Sequence, residues 1–88
     1  MPTVSHFFGI VVRVYYTDHP PPHVHVIYQD FEAKLAIETG ELIEGRLPRA
    51  VLRMTREWMR RHRLELTENW RRAREELPLE KIAGADLD

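Results

Sequence analysis

The 88-residue chain contains no cysteine, which excludes a disulfide framework, a cysteine-ligated zinc ribbon, an iron–sulfur site and a thiol nucleophile together. A reducing cytoplasm is the expected location. No run of about 18 apolar residues is present, so a membrane helix is not expected. The N-terminus lacks the basic stretch, apolar segment and cleavage site of an export signal. Internal repeats and low-complexity tracts are also missing, and lysine is confined to Lys34 and Lys81. What remains, with 43% apolar and 31% charged positions, fits one small domain over residues 1–88. At this size folding hides only about 60 to 65% of the unfolded surface, so a homo-oligomer or a complex would add to a thin core.

A net charge of −1 conceals two opposed regions. From Arg46 to Arg74 ten arginines face only Glu57, Glu65 and Glu68, a balance of +7, and the rest of the chain carries three bases against eleven acids. A purely solubilising face would mix in lysine, whereas arginine's planar fork suits bidentate contact with phosphate or carboxylate. Arg46, Arg49, Arg53, Arg56, Arg60 and Arg63 step by three or four residues, which predicts a ridge on one helical face. Such a ridge could follow the phosphates of RNA or DNA, or meet an acidic protein partner. A solvated outer face is the plain alternative.

The first half of the chain reads as strands. Residues 5–16 are rich in β-branched and aromatic residues. Arg13 is taken as outward, which puts Phe8, Ile10, Val12, Val14 and Tyr16 inside and Phe7 and Tyr15 outside. Asp18, His19 and three successive prolines predict a stiff loop. Strands follow over 23–29, 31–38 and 41–44, with tight connections at Gln29-Asp30 and Thr39-Gly40. Four strands in an antiparallel meander need a cover, and C-terminal helices over about 48–62 and 64–77 supply it, an α+β architecture. Val51, Met54, Trp58 and His62 form one apolar stripe, and Leu66, Trp70, Ala73 and Leu77 another, rotated by about a quarter turn. A break near His62 to Glu65 reconciles them. The acidic tail, 79–88, is expected to order only where Leu79 or Ile82 finds a groove.

Chemistry concentrates in Asp18-His19-Pro20-Pro21-Pro22-His23-Val24-His25. His23 and His25 lie two apart on a strand and share a face. With Asp18 and His19, and Glu32 as a further donor, they could hold a transition metal such as zinc or nickel. Without a metal, the two histidines could act as acid and base in RNA cleavage, assisted by Arg13 and Tyr15 on the same outer face. Alternatively the prolines order a tight loop and the histidines are hydrogen-bonded strand residues. Trp58 fits the core, while Trp70, on the shifted stripe, is either core or the anchor of an interface.

The order Phe7-Phe8-Gly9-Ile10, Tyr15-Tyr16-x-Asp18-His19-x-Pro21-Pro22-His23-x-His25, Ile37-Glu38-Thr39-Gly40-Glu41, Leu47-Pro48-Arg49, Glu57-Trp58 and Glu68-Asn69-Trp70 resembles a bacterial family catalogued as domain of unknown function 4160. The resemblance spans about Pro2 to Ile82. It implies a small standalone bacterial protein, paired with a partner of the family called domain of unknown function 2442 in an arrangement like a toxin–antitoxin module. It carries no activity and no catalytic residues, and marks Asp18, His19, His23 and His25 as the place to look. Three expectations therefore stand side by side. The first is a regulatory protein binding nucleic acid or a cognate partner through its arginines, with or without RNA cleavage at His23 and His25. The others are a non-catalytic interaction module and a small metal-binding protein.

Overall fold

Phe8 and Gly9 divide the first expected strand in two. In the computed structural model, which describes residues 2–88, both have positive φ, 51° and 77°, the signature of a two-residue hairpin turn of the primed kind. The chain reverses there, giving β1 (Thr3–Phe7) and β2 (Ile10–Arg13), with Phe7 opposite Ile10. Side-chain parity flips upstream of the turn. Phe7, expected outside, is 2% exposed, and Phe8, expected inside, is 61% exposed. Ile10, Val12 and Val14 are buried, but Tyr16 lies beyond the sheet and is 41% exposed.

The sheet continues through β3 (His23–Tyr28), β4 (Phe31–Ala36) and β5 (Leu42–Gly45). It is a five-stranded antiparallel meander in chain order, one strand more than expected. Alternation explains its inner face: Val24 and Val26 on β3 and Ala33 and Leu35 on β4 all point into the core. Gly45, at φ 79°, admits no side chain, since a Cβ there would sit 2.1 Å from the Glu32 carbonyl oxygen.

The helices are α1 (Arg49–Arg61) and α2 (Arg63–Arg74), with His62 between them at φ −113°. Helix α1 inserts Trp58 and Met59 into the core, and α2 adds Leu66, Trp70 and Ala73. Met54 and Leu77, assigned to the apolar stripes by spacing, are both exposed. Leu77 lies past the end of α2, and the buried residue of that turn of α1 is Thr55. No helix of the described residues is long and apolar enough to cross a membrane.

The tail passes beside β1 at Lys81 and Ile82. Ile82 donates its N–H to the Val4 carbonyl at 2.8 Å, the Ser5 hydroxyl donates to the Ile82 carbonyl, and the Trp58 indole N–H donates to the Ala83 carbonyl. Asn69 donates to and accepts from the backbone of Glu80. One sheet edge is thereby covered. The opposite edge, β5, is exposed along its whole length.

The helix break carries its own charge device. His62 Nδ1 lies 2.6 Å from Glu65 Oε1 and Nε2 lies 2.9 Å from Asp88 Oδ1, so both ring nitrogens donate only when the imidazole is charged. Burial lowers the His62 pKa, but the two carboxylates outweigh it and the net shift is upward. A histidine held above its unfolded value of about 6.5 stabilises the fold fully below that pH and loses the contribution as pH rises through the folded value. The melting temperature should therefore fall as pH rises above about 6.5, and His62→Gln should flatten that fall in parallel melts. Identical slopes in the two proteins would remove His62 as the cause.

Candidate functional site

Two surfaces carry unusual chemistry. The first is built on the outer face of β3. Because the strand has a period of two, His23 and His25 share that face, and pairing sets Arg13 of β2 and Lys34 of β4 on either side of His25. The loop 14–22 then folds over the histidines, leaving His23 5% and His25 6% exposed. Asp18 Oδ2 sits 2.9 Å from Nε2 of each histidine, and the three ligand-type atoms lie within 4.8 Å of one another. The Tyr15 ring stacks on His25 at 4.1 Å, and Trp70 packs 5.2 Å from His23. Both imidazoles are therefore held by aromatic neighbours as well as by the carboxylate.

The hydrogen atoms of this cluster can be counted. The Pro21 carbonyl can only accept, so His23 Nδ1, 2.8 Å away, carries a hydrogen. In a neutral ring His23 Nε2 is then a lone pair facing Asp18. His25 Nε2 can donate to the same oxygen. Burial raises the Asp18 pKa, but hydrogen bonds from His25 and from the His19 backbone, with the nearby imidazoles, leave it net lowered.

The remaining expected members fall elsewhere. His19 is exposed, and only its backbone N–H reaches Asp18. Glu32, opposite Ile27, stays outside the cluster. Arg13 turns its Nε toward the Thr3 hydroxyl at 3.4 Å, and Lys34 pairs with Glu44. An acid–base pair for RNA cleavage needs nitrogens turned toward a common substrate, and here both Nε2 atoms point at one carboxylate. Trp70 is 8% exposed and packs in the core. Sequence spacing placed the two histidines together. The part of Asp18 in joining them depends on the loop's path, which the prolines constrain without specifying.

The second surface is the arginine ridge. Arg49, Arg53, Arg56 and Arg60 recur on one side of α1 and line a shallow groove with Leu52 and Glu57. Arg63, the first residue of α2, borders a second groove with Arg56 and Arg60. Arg46 departs from the expected set: it precedes α1 and lies over the Phe31 ring at 5.5 Å. Arg56 is tethered by donation from Nε to the Gly40 carbonyl at 2.8 Å. Among the described residues, none of these six arginines has a carboxylate within 4.0 Å. Arg71 and Arg72 of α2 are bound to Glu68 and Arg71 also to Glu75, while Arg61 is bound to Asp88.

A protein-family model described as a domain of unknown function, DUF4160, matches residues 9–71. The chain belongs to the DUF4160 family. No curated protein and no solved structure matches it. The DUF4160 segment runs from the hairpin glycine to the last turn of α2, so it contains the histidine loop, four of the five strands and the whole ridge. It leaves out β1 and the tail that covers its edge.

Proposed function

We propose that this chain is a regulatory protein that binds nucleic acid through the arginine ridge of α1. The observation that supports this reading is the division of the arginines. Arg71 and Arg72 of α2 are neutralised by Glu68, and Arg61 by Asp88, while among the described residues Arg49, Arg53, Arg56 and Arg60 recur along one side of α1 with no carboxylate within 4.0 Å. Grouping like charges destabilises a compact domain, and a polyanion bound along the ridge would offset that cost. With a rise of 1.5 Å per residue, Arg49 to Arg60 spans about 16 Å, the axial length of about five phosphates of one duplex strand. A toxin–antitoxin setting with a small partner protein is the context the family resemblance suggests. RNA cleavage is not part of the proposal, given the orientation of both imidazoles toward Asp18.

Fluorescence anisotropy with labelled RNA and DNA tests the reading. Four phosphate contacts give a slope of log affinity against log salt of about −3 for a single strand and about −3.5 for duplex DNA. Raising salt from about 50 to 200 mM then weakens binding by about 100-fold. A flat salt response, or no binding at low salt, would turn the ridge over to an acidic protein partner.

A further inference from the structure

We propose that Asp18, His23 and His25 form a binding site for a divalent transition metal, with Asp18 Oδ2 and the two Nε2 atoms as ligands. The site shares no residue with the arginine ridge and stands independently of nucleic-acid binding.

The argument starts from the Pro21 carbonyl. By accepting from His23 Nδ1 at 2.8 Å, it fixes the tautomer that presents Nε2 as a lone pair, the arrangement in which metal-ligating histidines are held by their outer hydrogen bond. That lone pair is aimed at a carboxylate oxygen 2.9 Å away. Two acceptors facing each other at hydrogen-bond distance need a cation between them, either a proton or a metal. His25 Nε2 converges on the same oxygen at 2.9 Å, which makes three donor atoms around one point. Bonds of 2.0–2.1 Å to nitrogen and oxygen give a tetrahedral edge of ~3.3 Å, so the two N···O separations of 2.9 Å need to open by only a few tenths of an ångström, while the two Nε2 atoms, within 4.8 Å of each other, are set by rotation of the rings.

Rigidity suits a metal site. The two rings are nearly inaccessible. Tyr15 and Trp70 fix the ring planes, and the proline run limits the paths open to Asp18. The set is ordered before any ligand arrives. Lys34 flanks His25 and raises the local potential, but Glu44 at 2.9 Å from its Nζ offsets it. Two imidazoles and one carboxylate suit zinc, nickel or cobalt rather than magnesium or calcium. Asp18 is partly exposed, which leaves a path to the site from solvent.

Chelator-treated protein titrated with zinc chloride or nickel chloride should take up one ion per chain. At a hundredfold excess over Kd the melting temperature should rise by about 10 °C or more. His25→Ala and Asp18→Asn should weaken uptake by about 100-fold or more, while His62→Ala, which removes the other carboxylate-bonded histidine, should leave it unchanged. Should a cluster variant fail to fold, the unaltered chain decides by 15N NMR of its histidines. Metal addition should move the Nε2 signals of His23 and His25 and leave those of His6, His19 and His62 in place. No uptake, uptake that survives both cluster substitutions, or shifts confined to His62 or His19 would overturn the site.

Discussion

Replacing Trp58 with alanine should unfold the domain at 37 °C. Trp58 is completely buried, packs on Phe7 at 4.9 Å and on His62 at 5.2 Å, and donates its indole N–H to the Ala83 carbonyl. Truncating a buried tryptophan costs about 3–5 kcal/mol. Leaving the Ala83 carbonyl without its donor adds about 1 kcal/mol. A chain of this length holds about 4–13 kcal/mol in total, so a loss of about 4–6 kcal/mol removes all of the stability at the low end of that range and about half of it at the high end. Trp58→Phe separates the two contributions. It keeps most of the packing and removes only the donor, which should lower the melting temperature by about 4–8 °C per kcal/mol lost and speed hydrogen exchange at the Ile82 amide, which donates to Val4 from the same tail. Circular dichroism melts and amide exchange measure both. A Trp58→Ala protein that melts within a few degrees of the parent would show that the helix layer is not the keystone of the core.

The parts of the fold that were legible in the sequence are those fixed by periodicity. The alternation from Phe31 to Ala36 gave strand β4 its faces, and the rotation between the stripe of Trp58 and the stripe of Trp70 located the helix break at His62. Periodicity is blind to chain reversals that lack the usual turn residues. The β1–β2 turn places an aromatic residue, Phe8, at φ 51°, where asparagine or aspartate is the common signal, so the periodicity predicts one strand where there is a hairpin and puts Phe7 on the wrong face. Parity nevertheless put His23 and His25 on one face. Their convergence on Asp18 required the path of a proline loop, which no repeat encodes. The spacing of the arginines was sound for Arg49 to Arg60 and failed at Arg46, because a step of three residues means a shared helix face only where the helix has begun.

Reversing Arg53 and Arg60 together to glutamate should weaken nucleic-acid binding by about 100-fold or more at about 100 mM salt. Each phosphate contact contributes about 0.9 to the salt slope on duplex DNA. Two lost contacts amount to nearly two decades of affinity at that ionic strength, and the introduced carboxylates repel the backbone besides. The slope itself should become shallower by about 2. These two positions suit the test because both are exposed and neither anchors the fold, whereas Arg56 holds the Gly40 carbonyl. The informative control is Arg71→Glu with Arg74→Glu, which changes net charge by the same amount on α2. Arg71 is engaged with Glu68 and Glu75, and exposed pairs of that kind contribute little to stability. If the ridge is the contact surface, the control loses only the small long-range part of the attraction, screened over a Debye length of about 10 Å. Equal losses in the two variants would mean that net charge, not the ordered row on α1, attracts the nucleic acid. No loss in either would leave the six unpaired guanidinium groups to an acidic partner surface.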